Sequence, residues 1–515
     1  VHSSRGNLLW PCSSILRDVS GHIRANEPDK AEQILHCYKW YFLDPAEKYS
    51  YYLTQAAIAF AKNDARRSIE VLSRIDVGTL NSDEKTRLDL LRARYFTCLG
   101  DHQKALQIIE RLSNPSDEYL SQIALIRALA AEHEGDLAKS SEILLNAITA
   151  TSDQLKNADY QRLLNNYGRI QKINKNNTDS LHYYRKALRL AKDLKEKPLL
   201  HAAYQNVIHS LSSLSGQNEV RQLISEYMSM IDFTNPHDLL EYHNFLVEYY
   251  RQSNYRNKLF EVIDEGRERI YPLISRKEQI VCDISQLRMR WNGGVLSPAF
   301  LYQIEDQYPE YTNLPAVEQF RCYMEIHHVL QRLKEGGSLT LSQEDLFAQN
   351  RENIRSLVPA LENHLCTTPE YCVFEKCQVI WDIIRAKKCS SDDYDKEEVL
   401  RMLEDIKEIR FTHGNFIEAF SGGLDICDEA LGQKQYEEMW EYTQLAMDEL
   451  QEIQGHPAEI PAFIQIACYA YNAGKHDLAR EYLDQFERTN EHISHQPDWI
   501  RGYYIELKQE LGSNA

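Results

Sequence analysis

The sequence predicts an all-α solenoid of antiparallel helix pairs, and three observations predict it. Apolar residues recur at three- and four-residue spacing through most of the 515 residues, which is the period of one helix face. Only 20 glycines and 15 prolines punctuate the chain, and they fall mostly between the periodic stretches, where helices stop. A helix–turn–helix block also returns along the chain. A turn at Asn63-Asp64 is followed 37 residues later by Gly100-Asp101, and 35 residues after that by Gly135-Asp136.

The best-preserved block is Leu99 to Leu112. Gly100 suits a left-handed turn position because it has no Cβ to clash there. Asp101 is placed to cap the next helix by accepting a backbone N–H. Ala105, Ile108, Ile109 and Leu112 then make one apolar stripe. Taken in order, the pairs run from about Lys48 to Ile75, Asp83 to Leu112, Glu118 to Thr149 and Asn157 to Leu194. A fifth covers Leu199 to Ile231 with a break at Gly216, and a sixth Asp238 to Ile270 with a break at Ser253-Asn254. Small residues hold the same two places within pairs: Ala56 with Ser68, Ala93 with Ala105, Ala128 with Ser140, Gly168 with Ser180. Small side chains there let two helices approach closely. Leu112, Ala147 and Ala187 hold a third place, set to pack onto the following pair.

Between these pairs and the C-terminus the pattern loosens but stays helical, most clearly over Lys277–Trp291, Val317–Leu333, Gln343–His364, Glu370–Lys387 and Lys396–Arg410. The strongest breaks are Trp291 to Pro298 and Glu335 to Ser338, where Gly pairs meet Pro or Ser. After Gly422-Gly423 pairs resume with a helix from Leu424, then Gln435 to Ile453, then a well-formed pair from Ala458 to Thr489. Pro497 to Leu511 reads as a terminal helix covering the open end, which a repeat array needs because its last pair has no neighbour. The expected organisation is an N-terminal helical cap over 1–47, repeats over 48–274, a divergent helical region over 275–422, and repeats with a capping helix over 423–515.

Gly100-Asp101…Ala105…Ile109…Leu112, Tyr167-Gly168…Ser180…Tyr184…Ala187 and Ala467…Gly474…Ala479…Leu483 resemble the tetratricopeptide repeat family in degenerate form. The bulky residue that the family carries early in its first helix is mostly missing, as at Asp89, and its closing Pro is irregular. The resemblance implies a right-handed superhelix whose concave face is lined by the first helix of each pair and holds an extended peptide or partner helix. Carried over by register, that face holds Leu90 and Arg94, Leu125 and Leu129, Asn165 and Arg169, and Asn206 and Ser210. Of these, Arg94, Asn165, Arg169 and Asn206 offer several donors for peptide backbone or a carboxylate. The family's Lys/Asn carboxylate clamp is not reproduced, so a chaperone tail is not the expected ligand.

Composition narrows the function classes. With 43% hydrophobic and 26% charged residues the chain has soluble globular composition, and no run reaches the length of a membrane span. Its 77 acidic against 58 basic residues, net −19, disfavour a broad nucleic-acid surface. Eleven scattered cysteines with no signal-peptide pattern fit reduced thiols and a cytoplasmic setting. Val1 in place of an initiating Met suggests a piece of something longer, which makes the sensor part of a larger signalling or transcription regulator the alternative role.

Catalytic signatures are missing: there is no phosphate-cradling Gly-rich Lys loop, HExxH, CxxC pair, EF-hand or GxSxG. Cys366, Cys372, Cys377 and Cys389 cluster, but their gaps are wider than structural zinc prefers, so core thiols are the favoured reading. Arg321 to His327 has the Arg-then-His spacing of some helical ribonucleases, and Glu325 with His328 could face one metal. Structural roles are favoured for both. The 31 tyrosines and 15 phenylalanines read chiefly as packing between helices, with some suited to line a groove. The expectation is therefore a protein- or peptide-binding scaffold, not an enzyme, with no cofactor or metal, no membrane partner, and a homodimer as one assembly.

Overall fold

A computed structural model describes residues 9–42, 44–112, 115–151, 157–213, 217–252, 256–285, 314–336, 340–390, 394–453, 455–489 and 498–513. All regular structure among them is helical. The N-terminal part holds α1 (Leu9–Arg24), α2 (Pro28–Cys37), α3 (Pro45–Ala61), α4 (Ala65–Leu72), α5 (Ser82–Leu99), α6 (His102–Glu110), α7 (Leu120–His133) and α8 (Leu137–Ala150). It continues through α9 (Ala158–Ile173), α10 (Asn177–Leu194), α11 (Lys197–Ser213), α12 (Gln217–Ser229), α13 (Pro236–Gln252), α14 (Arg256–Ile270) and α15 (Arg276–Ser285). Then come α16 (Ala316–Glu335), α17 (Leu341–Thr367), α18 (Val373–Ser390), α19 (Lys396–Thr412) and α20 (Phe416–Gly432). The C-terminal part is α21 (Tyr436–Leu450), α22 (Glu459–Asn472), α23 (His476–Thr489) and α24 (Asp498–Ser513). Among the described residues no helix is long and apolar enough to cross a membrane.

The pairs form for the local reasons that the sequence supplies. Asn63, Gly100 and Gly135 adopt left-handed φ values of 61°, 87° and 93°. The aspartate after each accepts a backbone N–H three residues on: Asp64 from Arg67 at 2.9 Å, Asp101 from Lys104 at 3.1 Å, Asp136 from Lys139 at 2.8 Å. Each turn thus ends one helix and caps the next. The small residues sit at the crossings. Ser68 donates its hydroxyl to the Ala56 carbonyl at 3.0 Å, and Ala93 and Ala105 are fully buried. A Cβ on Gly168 would fall 2.9 Å from the Tyr184 ring. The fold is a helical repeat of antiparallel pairs with tetratricopeptide-like packing.

Two compact units interleave along the chain. The first comprises residues 1–88, 151–368 and 382–393, the second 89–150, 369–381 and 394–515. In the first, α11 packs on both α9 and α13. Its core gathers Tyr184, Leu188, Ala203, Tyr204, Val207, Tyr227 and Phe245. The α1–α2 turn docks at the start of α13: Asn235 donates to the Asn26 carbonyl at 3.1 Å, and Asn26 donates to Asp238 at 3.2 Å.

In the second unit, α24 packs on the α22–α23 pair. Ile500, Leu507 and Leu511 enter the same core as Ala467, Ala479 and Phe486.

One expectation needs correcting. Gly422-Gly423 is not a break; both glycines lie buried inside α20, which begins at Phe416 instead of Leu424. A Cβ on Gly422 would make ordinary contact at 3.6 Å, and one on Gly423 would meet only the Lys407 ammonium at 3.2 Å, the far end of a flexible side chain. Glycine weakens a helix interior by about 1 kcal/mol without breaking it, and buried Phe420, Leu424 and Ile426 on the same helix favour the continuous α20. The expected breaks at Gly216, Ser253-Asn254 and Trp291–Pro298 lie outside the described residues, as do Pro497 and the end of the helix expected to reach Trp291.

Candidate peptide-binding face

Helices α9, α11 and α13 are the first helices of three consecutive pairs in the first unit. The asparagines Asn165 on α9 and Asn206 on α11 are both half-buried, and Asn206 donates its amide to the Asn165 carbonyl oxygen at 3.0 Å. This single bond leaves the Asn165 amide N–H groups and the Asn206 carbonyl oxygen for other partners. One turn along α9, half-exposed Arg169 reaches to 3.4 Å from the Asn166 side-chain oxygen. Along α11, His209 meets Phe245 of α13 edge to face, 5.5 Å between ring centres. Burial and then the Lys172 cation hold its imidazole below the usual histidine range, against the pull of Glu248.

An aromatic core fixes α11 against α13. Tyr227 stacks on Tyr204 at 5.2 Å and meets Tyr242 edge-on at 5.2 Å. The Tyr227 hydroxyl lies 2.7 Å from His201 Nδ1, whose other nitrogen is 3.2 Å from Asp238. Asp238 is fully buried, also accepts from Lys197 and Asn26, and its carboxyl is held below the ordinary range. Burial alone raises that carboxyl, and the hydrogen bonds from His201, Lys197 and Asn26 overcome it.

The structure brings Asn165, Arg169 and Asn206 onto neighbouring helices of one unit, whereas Arg94 lies on α5 in the other. Arg94 is half-buried beside Tyr95, whose phenol burial pushes up to about 12 against the Arg94 charge. Three other register positions are buried in packing: Leu90, Leu125 and Ser210.

A second polar constellation escaped the sequence reading. On α20, Asp428 accepts from the Tyr469 hydroxyl at 2.7 Å, the Tyr503 hydroxyl at 3.3 Å and the Gln465 amide at 3.2 Å. Asp425 lies one turn before it, and burial pushes its carboxyl up to about 6, with Arg410 opposing and Asp428 adding to the rise. The signal in sequence was two carboxylates three apart, Asp425 and Asp428, beside the apolar Leu424, Ile426 and Cys427. Their tyrosine and glutamine partners lie about 40 residues away or more.

The alternative chemistries find a packed environment. His327 is 8% exposed and stacks on Phe347 at 5.1 Å, while Arg321 is exposed. Burial first, then Arg351, holds the His327 imidazole down to about 4. Cys372 and Cys377 are buried, Cys389 is half-buried and Cys366 is exposed. Among the described residues no group of three or more His, Cys, Asp or Glu side chains is placed to hold a metal ion.

No family model matches the sequence. No curated protein matches it either. Solved structures similar to it include a Rap protein complexed with competence and sporulation factor, at 14% identity over 74% of this chain and 99% of that one, TM-score 0.36. Yeast Tom70 is 12% identical over 88% and 96%, TM-score 0.36. The human IFIT1 dimer with m7Gppp-AAAA is 12% identical over 92% and 95%, TM-score 0.31. At that level the likeness is one of helical architecture, and nothing about ligand or partner follows from it.

Proposed function

We propose that this chain is a helical-repeat scaffold that binds an extended segment of a partner protein and has no catalysis of its own. The observation that carries the reading is the Asn206–Asn165 bond, which leaves one amide donor and one carbonyl acceptor on adjacent first helices. A peptide group needs that complementary pair, and an asparagine on each of two rigid helices holds it at low entropic cost. Arg169 adds a cation one turn away, suited to a carboxylate side chain or chain end. By the same register Arg94 serves a segment lying on α5 in the second unit. The cytoplasmic setting belongs to the same proposal, as does the view that Asp425 and Asp428 receive a basic side chain of the partner.

The test is selection of linear peptides from a display library on the wild-type chain, followed by affinity measurements on variants. Asn165→Ala, Arg169→Ala and Asn206→Ala together are expected to weaken the selected peptides at least tenfold. Unchanged affinity overturns this placement. Arg94→Ala is measured separately and is expected to affect a different set of peptides.

A further inference from the structure

The second unit contains a contact between two helix–helix turns that are more than 300 residues apart in sequence. The α5–α6 turn, Gly100-Asp101, meets the α19–α20 turn, Gly414-Asn415. Buried Asn415 donates to the Gly100 carbonyl at 2.6 Å, and the Gln103 amide donates to the His413 carbonyl at 3.2 Å. His413 Nδ1 lies 3.0 Å from Asp101. Gly414, at φ 79°, packs against Gln103 and the His102 Cβ, and a Cβ on Gly100 would strike the Phe374 ring at 3.0 Å.

Inside this seam lies His102, 2% exposed. Its ring stacks on that of His133, the last residue of α7, at 4.0 Å and 25°, with Phe374 edge-on at 6.4 Å. Neither ring nitrogen has a hydrogen-bond partner among the described residues. A buried imidazole always carries at least one N–H, so leaving both nitrogens unmatched costs stability that an ordinary core residue would not. His133 itself is bound to Glu418 at 3.1 Å.

We propose that the docked turns form an acid-sensitive latch, with His102 as the group whose protonation releases it. While the seam is closed, a proton on His102 meets no acceptor among the described residues. Once the seam opens, the imidazole is solvated and takes up a proton as any exposed histidine does. Protons therefore favour the open seam.

The surrounding charges set the balance. Asp101 on the same turn and Glu418 on α20 would welcome a cation at His102, and His133 on α7 disfavours it. Burial, with His133 adding to it, outweighs the two carboxylates and holds the imidazole down to about 3. His413 on the α19–α20 turn faces Asp101, and Arg410 of α19 donates to the Glu418 carbonyl at 2.8 Å. His456 senses Glu132 and Glu418 and is itself held low by burial. The His133–Glu418 and His413–Asp101 contacts hold the seam closed, so His102 is the element that gives the latch its sign.

Linkage sets the expected size. A histidine whose proton affinity is suppressed in the closed form and ordinary in the open form shifts opening by roughly tenfold between pH 7.5 and 5.5.

The experiment is amide hydrogen exchange on the full chain at both pH values, corrected for intrinsic rates. It compares segments 97–104 and 411–418 with the core segment 464–470. Wild type is expected to lose about tenfold protection in the two seam segments at pH 5.5 and little in the core segment. His102→Phe is expected to abolish that loss, because the buried imidazole is gone. His102→Gln, close in size and unable to titrate, gives the same readout if the Phe variant does not fold. Equal wild-type protection at the two pH values overturns the latch. So does a loss of protection in the folded variant that matches wild type.

Discussion

Asn415 donates its side-chain amide to the Gly100 carbonyl at 2.6 Å, across 315 residues of sequence. Both ends are closed to water, so the bond ties two turns that each also serve their own helices. Asn415→Ala is expected to lower stability by about 1–3 kcal/mol, because the Gly100 carbonyl is left buried without its donor. Calorimetry checks this, and an unchanged melting profile would show that the seam contributes nothing.

Gly168 packs where the Tyr184 ring leaves no room for a side chain. Gly168→Ala should cost about 1–3 kcal/mol through overpacking at the α9–α10 crossing. The sharper measurement is the double-mutant cycle with Tyr184→Leu: the Ala substitution should be better tolerated in the Leu background. Simple additivity would mean that the clash is relieved elsewhere.

Asp238 is an anion with no exposure, held by Lys197, His201 and Asn26. Asp238→Ala strands the Lys197 charge and the His201 donor and is expected to cost about 3–5 kcal/mol. The pH dependence has a definite sign. The folded-state carboxyl lies below its unfolded value, so its stabilisation is present above about pH 4 and fades as pH falls through the lower folded value. Acid titration of wild type against Asp238→Asn, followed by circular dichroism, measures it.

Asp425 has the opposite sign. Its folded carboxyl titrates at about 6, above an unfolded value near 4. The folded form therefore holds the proton more tightly, and ionisation penalises folding increasingly from about pH 4 to pH 6. Asp425→Asn is expected to be more stable than wild type at pH 7.5, with the gap closing by about pH 4. Urea midpoints at the two pH values decide it.

Thiol reactivity should divide by burial. Cys372, Cys377, Cys427 and Cys468 are buried, and burial pushes Cys427 and Cys468 up to about 12, far from the reactive thiolate. Cys37, Cys98 and Cys366 are exposed, although burial of its sulfur raises the Cys98 thiol. Iodoacetamide at pH 7.5 is expected to label Cys37 and Cys366 first and the six buried cysteines, Cys12 and Cys322 included, only after unfolding, as read by peptide mapping.

The sequence alone determined the pairs, because their causes are local. A left-handed residue followed by a capping aspartate acts over three or four residues, and Asn63-Asp64, Gly100-Asp101 and Gly135-Asp136 announce themselves that way. Small residues at fixed offsets, such as Ala93 and Ala105, likewise mark where two helices cross. Where local weakness met tertiary packing the reading failed: Gly422-Gly423 looks like a break and lies inside a continuous helix with buried apolar residues on both sides.

Tertiary structure alone decided which turns meet. Asp101 reads as a cap whether or not it also docks, and His102 looks like an ordinary first residue of an amphipathic helix. Their neighbours across the seam lie more than 300 residues away in sequence, which no local pattern encodes. The Asn165–Asn206 bond is intermediate. Register placed both residues on first helices, but only the packed distance between α9 and α11 made them partners.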